Sequence, residues 1–269
     1  MINPVSIVIP VRIDSLEREA NLRCVLSHLL QFPFVHIDMI ETDSRQRFYY
    51  PAHNRIRYRF IPDNENVFYR THFLNLLLIN AEYPIVGVWD TDIIVLQTQL
   101  TEAIEMIENG NIMSFPYDGE FRLLDREESA LIRNGNEVLS SSSGVSLMKR
   151  PSVGGAFLVD KEKYLLAGGE NEGFYGWGPE DAERVRRMEI LGYPIGRVKG
   201  PCYHLYHPRI VETGINHEER FIRNQRALLD TCNKTKEELT SLIGNHIGSF
   251  SYMKKWTCPL FYNHQKNFV

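Results

Sequence analysis

The chain is poor in the features that mark several large classes of protein. Its 269 residues hold four cysteines, Cys24, Cys202, Cys232 and Cys258, and none stands in a CxxC pair. That spacing argues against a zinc knuckle, and scattered thiols in a chain this long fit a reducing compartment better than a disulfide framework. No apolar run reaches the roughly 18 residues of a membrane-spanning helix. No basic tract is present and the formal net charge is −4, so nucleic acid gains no overall electrostatic attraction. The strand-like Val5–Ile9 is not preceded by a basic segment and a long apolar stretch, so no signal peptide is expected. Asn233-Lys234-Thr235 fits a glycosylation sequon but is discounted without a secretion signal. Internal repeats and coiled-coil heptads are also absent.

What is present is an ordinary globular balance, 43% hydrophobic and 24% charged, with which a chain of this length buries a sizeable core. The first half alternates short apolar runs with helical periodicity. Strands are predicted over Val5–Ile9, Val35–Ile40, Arg57–Ile61, Pro84–Trp89 and Ile112–Phe115, with helices over Asp14–Gln31, Phe68–Ala81 and Gln99–Asn109. This alternation argues for an α/β fold with a parallel sheet covered by helices. In such sheets ligands bind beyond the carboxyl ends of the strands. Pro10 to Arg12, Glu41 with Asp43, and Asp90 with Asp92 all fall there. Asp118–Arg150, with its serine run Ser140–Ser143, reads as a helix followed by a loop, either a lid or a plain insertion. Beyond it, a strand is expected over Val153–Val159 and helices over Lys161–Ala167 and Glu180–Leu191. Strands over Ile195–Val198 and Cys202–Leu205 follow. Helices are expected from Glu218, then an aromatic tail with Trp256, Phe261, Tyr262 and Phe268.

Three constellations carry chemistry. Asp90-Thr91-Asp92 ends an apolar strand and is followed by a second apolar run. Two like charges there repel unless a cation or a hydrogen-bond network relieves them, and a hard divalent cation takes oxygen ligands. The bland reading is a chance pair in a surface loop. Trp177-Gly178-Pro179-Glu180-Asp181 leads directly into a helix. Acids in a first turn answer the helix dipole, which is the structural reading. The chemical reading gives the glycines close backbone approach, Trp177 a face for a sugar to stack on, and Glu180 and Asp181 the task of binding acceptor hydroxyls and removing a proton. The third is Cys202-Tyr203-His204-Leu205-Tyr206-His207-Pro208-Arg209. On a strand, His204 and His207 would face opposite sides, but a bend before Pro208 lets both reach one ion or a phosphate.

Taken in order over residues 5 to 209, these pieces resemble the GT-A glycosyltransferases, specifically the beta-1,4-galactosyltransferase-like group related to families 7 and 2. Pro10-Val11-Arg12 stands for that group's Pro-Phe-Arg turn. Phe68-Tyr69-Arg70 through Leu74-Asn75 follows its Phe-Asn-Arg…Leu-Asn helix, with Tyr69 in place of Asn. Asp90-Thr91-Asp92 matches its Asp-Val-Asp, and Gly154-Gly155 its glycine pair. Trp177 to Asp181 matches Trp-Gly-Gly-Glu-Asp, with Pro179 in place of Gly. His207, His204 or both correspond to its late metal-binding histidine. The resemblance implies a GT-A fold: a Rossmann-like, mostly parallel nucleotide-binding sheet flanked by helices. It would span 1–215, with a donor half over 1–115, an acceptor half over 116–215 and a helical extension over 216–269.

The same resemblance implies a metal-dependent inverting transferase that moves galactose or N-acetylgalactosamine from a UDP-sugar to a glycan or sugar acceptor, in polysaccharide or glycan synthesis. Pro10, Arg12, Glu41, Asp43, Arg70, Asn75, Asp90, Gly155 and Trp177 would line the nucleotide-sugar site. Arg12 would meet diphosphate or ribose, Glu41 or Asp43 the uridine, and Asp90 the ribose side. Asp92 with His204 or His207 would bind Mn²⁺ (or Mg²⁺). Asp181 would be the base, with Glu180 and Trp177 placing the sugars. Ser152, two residues before the glycine pair, leaves room for a donor N-acetyl group. A family 2 type glucosyl or hexosyl transferase is the alternative within the fold. A sugar-nucleotide nucleotidyltransferase would need a glycine-rich basic loop after the first strand, which Pro10 to Asp14 is not. A catalytically silent sugar-binding module is the third reading. The location expected is cytoplasmic, with bacterial origin and peripheral docking at the inner membrane through the aromatic tail as open options.

Overall fold

The structure, a computed structural model, describes residues 2–135, 139–140, 142–148, 150–176, 178–208 and 217–244. Its first unit is β1 (Val5–Val11), α1 (Leu16–Leu29), β2 (Val35–Asp43) and β3 (Ile56–Pro62). Every residue of β1 is buried, as expected of a β-branched run covered on both faces. α1 starts where Ser15 accepts a hydrogen bond from the Arg18 amide at 3.2 Å, a serine N-cap. Next come α2 (Arg70–Asn80), β4 (Ile85–Trp89), β5 (Ile93–Ile94), α3 (Gln97–Glu108) and β6 (Met113–Phe115).

The expected helix-plus-loop over Asp118–Arg150 is instead β7 (Phe121–Leu123), α4 (Arg126–Arg133) and β8 (Val145–Ser146). Asp125 and Glu128 form a reciprocal capping box on α4. The Arg122 guanidinium donates to the carbonyls of Ser143 and Gly144, at 2.6 and 2.8 Å, so the serine-rich stretch is tied to the body of the protein. The chain continues through β9 (Ala156–Asp160), α5 (Lys161–Leu166), α6 (Glu180–Leu191), β10 (Ile195–Arg197), β11 (Cys202–His204) and α7 (His217–Cys232), and is helical again over 236–244. The aromatic tail lies outside the described residues.

Seven strands form the main sheet in the order β10-β6-β9-β4-β1-β2-β3. All pairings are parallel except those of β9, which runs antiparallel to both β4 and β6. The fold is thus mixed α/β with a mostly parallel sheet flanked by helices, as expected. A second sheet, β5-β11-β7-β8, sits beside the end of β4. The extension is part of the packing. Thr231 on α7 donates to Glu183 on α6 at 3.0 Å, and Leu239 and Ile243 join the hydrophobic core. No described helix is long and apolar enough to cross a membrane.

Candidate active site

The site opens at the carboxyl end of β4. The chain leaves β4 at Asp90, turns through Thr91 and Asp92, and enters β5, which pairs antiparallel with β11. That pairing brings the end of β11 back over Asp92. His204 Nε2 lies 3.6 Å from Asp92 Oδ1, and His207 Nε2 lies 3.3 Å from Asp92 Oδ2. One ligand atom from each of Asp92, His204 and His207 fits within 4.8 Å of the others. The predicted bend is real: β11 ends at His204, and the next residues leave the strand.

Three hydrogen bonds hold that bend. The Leu205 amide donates to the Asp92 carbonyl at 2.8 Å. Asn21, fully buried on α1, donates to the Tyr206 carbonyl at 3.0 Å. The Tyr206 amide donates to Ser129 Oγ at 2.8 Å. Arg18, one turn into α1, reaches the same place, with Nη1 3.3 Å from Asp92 Oδ2 and Nη2 3.2 Å from His207 Nδ1. Burial alone would raise the Asp92 carboxyl, but His204, His207 and Arg18 override it and hold the group at about 2. Burial dominates at His204 and lowers it, which favours the neutral imidazole a metal requires. At His207 burial again lowers it, but the bond to Asp92, the Asp92 charge and the Pro208 carbonyl together prevail and raise it. Two imidazoles and one carboxylate are a mixed nitrogen and oxygen donor set, suited to a divalent ion of intermediate hardness.

Asp90 faces a different partner. Its side chain is 36% exposed against 5% for Asp92, so of the two it is the more accessible from the cleft. Arg70, the first residue of α2, donates to Asp90 Oδ1 at 2.5 Å. Burial disfavours the Arg70 charge, but Asp90, Asp181 and Glu180 together raise it above the ordinary arginine value. The acids at the head of α6 therefore share one electrostatic neighbourhood with Asp90. Burial raises Asp90, and both Asp92 and Asp181 add to the rise against Arg70.

Asp181 is held on two sides. Arg184 donates to its Oδ1 at 2.7 Å, and a methyl placed on Gly154 would lie 2.5 Å from its Oδ2. Arg184 is itself 1% exposed, forks onto Glu170 at 2.8 and 2.9 Å, and lies over the Phe157 ring. Gly154 is fixed because its carbonyl accepts from Tyr117 Oη at 2.6 Å. Gly155 takes φ +83 and accepts from the Asp90 amide at 2.8 Å, so the glycine pair links Asp90 to Asp181. Glu180 differs from its neighbour. Its Oε2 is buried without a hydrogen-bond partner among the described residues, and burial, helped by Asp181, pushes its carboxyl up to about 8. Pro179 provides no side-chain cap for α6.

The remaining predicted residues serve the scaffold in the described contacts. Arg12 donates to the Thr42 and Glu65 carbonyls at 3.0 Å and to Asp63 at 2.7 Å, tying down the loop after β3. Pro10 lies within β1. Glu41 is fully buried and accepts from the Arg47 and Phe48 amides and from Tyr58. Asp43 accepts from Ser44 and Arg47. Asn75 exchanges hydrogen bonds with the Glu170 backbone and donates to Glu172, joining α2 to the segment before α6. Trp177 and Arg209 lie outside the described residues. Sequence reasoning missed Arg18, Asn21, Ser129 and Arg184. Only Arg18 left a trace, as a cation in the first turn of the helix that follows β1 at the ligand edge.

Residues 137–208 match the family model described as the N-terminal domain of galactosyltransferase. This segment is galactosyltransferase-like. It contains the glycine pair, Glu180, Asp181, His204 and His207, and it supports an enzyme of the glycosyltransferase class. No curated protein matches the chain. Among solved structures, the catalytic domain of Drosophila beta1,4galactosyltransferase 7, in complex with xylobiose, is 17% identical. The match covers 81% of this chain and 78% of that one, with a TM-score of 0.45.

Proposed function

We propose that the protein is a metal-dependent inverting glycosyltransferase that moves galactose or N-acetylgalactosamine from a UDP-sugar to an acceptor hydroxyl. The observation that carries this reading is the meeting of Asp92, His204 and His207 within 4.8 Å, beside a pair of acids that share a field with Asp90. The two nitrogen donors favour Mn²⁺ over Mg²⁺, which prefers all-oxygen ligands. A divalent ion held there would offset the charge of a departing diphosphate. Arg18, already at this cluster, is placed to add hydrogen bonds to phosphate oxygens. Asp90 and Arg70 would meet the ribose and donor sugar.

On the other side, Asp181 would accept the proton of the acceptor hydroxyl as that oxygen attacks the anomeric carbon. Arg184 and Gly154 fix where its two oxygens lie. Glu180, protonated at neutral pH by its burial, would donate a hydrogen bond to a sugar oxygen. Arg12, Glu41, Asp43 and Asn75 act by shaping the walls. Incubation with UDP-Gal, UDP-GalNAc, UDP-Glc and UDP-GlcNAc, with and without Mn²⁺, tests the reading through UDP release. Absence of release from every donor, together with no UDP binding by calorimetry, would overturn it.

A further inference from the structure

A cavity of about 310 Å³ lies beside the loop that leads into α6, lined by Tyr175, Glu219, Arg220 and Arg223. Its position is fixed by α7. Asn224 donates to the Tyr175 carbonyl at 3.2 Å, and a methyl on Gly178 would lie 2.7 Å from the Asn224 amide nitrogen. The wall therefore rests directly on the segment that carries Glu180 and Asp181. Tyr175 is held edge-on by Tyr69, with ring centres 5.2 Å apart, and its hydroxyl donates to Glu65 at 3.4 Å. Arg223 lies 5.8 Å from the centre of the Tyr175 ring. Arg220 and Arg223 stand three residues apart on a helix, hence on one face.

We propose that this cavity is a subsite for an anionic sugar of the acceptor glycan, set back from the sugar that receives the transferred unit. The inference rests on the transferase reading for the word acceptor, but not for the binding itself. Each lining group has a task in that ligand. The guanidinium forks match a carboxylate or phosphate in a plane. The phenol ring offers a flat face to a sugar ring. Glu219 accepts from the sugar's hydroxyls, which a free inorganic anion does not have. The site thus suits a charged sugar better than a neutral glycan.

The test uses the whole protein and three oligosaccharides matched in length: one neutral, one ending in a hexuronate and one ending in a sugar phosphate. Saturation-transfer NMR without donor measures binding, and UDP release measures transfer. At least one charged oligosaccharide is expected to bind about tenfold tighter or more than the neutral one. The arm that wins names the anion as carboxylate or phosphate. The double variant R220A/R223A should erase the preference while leaving UDP affinity as it was, and R220K/R223K should keep part of it. Equal binding of neutral and charged ligands by the parent protein, or a preference that survives in the alanine variant, overturns the proposal. Arginine-dependent binding without any UDP release would instead keep the subsite and remove the transferase reading.

Discussion

Asp92, buried at the end of β4, and Glu180, half-buried at the head of α6 with one carboxyl oxygen fully enclosed, are driven in opposite directions by their surroundings. Asp92 is met by Arg18, His204 and His207 and is drawn down to about 2. Glu180 has one oxygen without a partner among the described residues, has Asp181 as its neighbour, and rises to about 8. Burial penalises the charge in both cases, so the partners decide the outcome. The lesson is that one half of the site is prepared to hold positive charge and the other to keep a proton.

The sharpest way to break this comparison is at the residue beside Glu180. Asp181→Asn should lower kcat by about 10²–10⁴-fold while changing UDP affinity only modestly. Near-normal turnover in that variant would move the base elsewhere. On the other side, Asp92→Ala should weaken Mn²⁺ binding by more than about 100-fold, measured by calorimetry, because it removes the carboxylate that joins His204 and His207 in the cluster. Unchanged Mn²⁺ binding would remove the metal assignment.

A subtler change leaves every ligand in place. Asn21→Ala deletes the bond to the Tyr206 carbonyl and the acceptor of Arg133. It should cost about 1–3 kcal/mol in stability by denaturant unfolding and loosen Mn²⁺ binding about tenfold. Intact metal affinity would show that the histidine bend is held without it.

The smallest effect concerns pH. Glu180 rises from an ordinary 4.5 to about 8 on folding, so between those values the unfolded chain loses a proton that the folded one keeps. Its contribution to stability therefore falls as pH rises through that window. Glu180→Gln, which cannot ionise, should gain steadily on the parent protein in Tm as pH rises from about 5 to about 8. A constant gap across that range would mean that Glu180 titrates normally.

How much of this was legible in the sequence depended on the length of the signal. β1 and β4 are largely apolar runs of seven and five residues, β2 opens with the alternation Val35, Ile37, Met39, and α6 was bounded correctly because it starts at the acids and stops at Gly192, which takes the left-handed φ +81. β7 and β8 have three and two residues, too few for a period of two to show, so Asp118–Arg150 read as helix and loop. The strand-end carboxylates were found as a class, but their tasks were not separable. Glu41 and Asp92 look alike in the sequence, yet one is closed off by Tyr58 and two amides while the other meets the histidines. The contacts of Arg18 with residues 92 and 207 depend on topology alone.

Gly154 works as a gauge between strand and helix. The atom that an added methyl would strike is the tip of a side chain, which swings aside at little cost to the fold, so Gly154→Ala would spare the architecture and spoil the aim of Asp181. With Asp181 as the proposed base, the smallest unit of bulk that chemistry offers would silence transfer with no change of charge and no broken core.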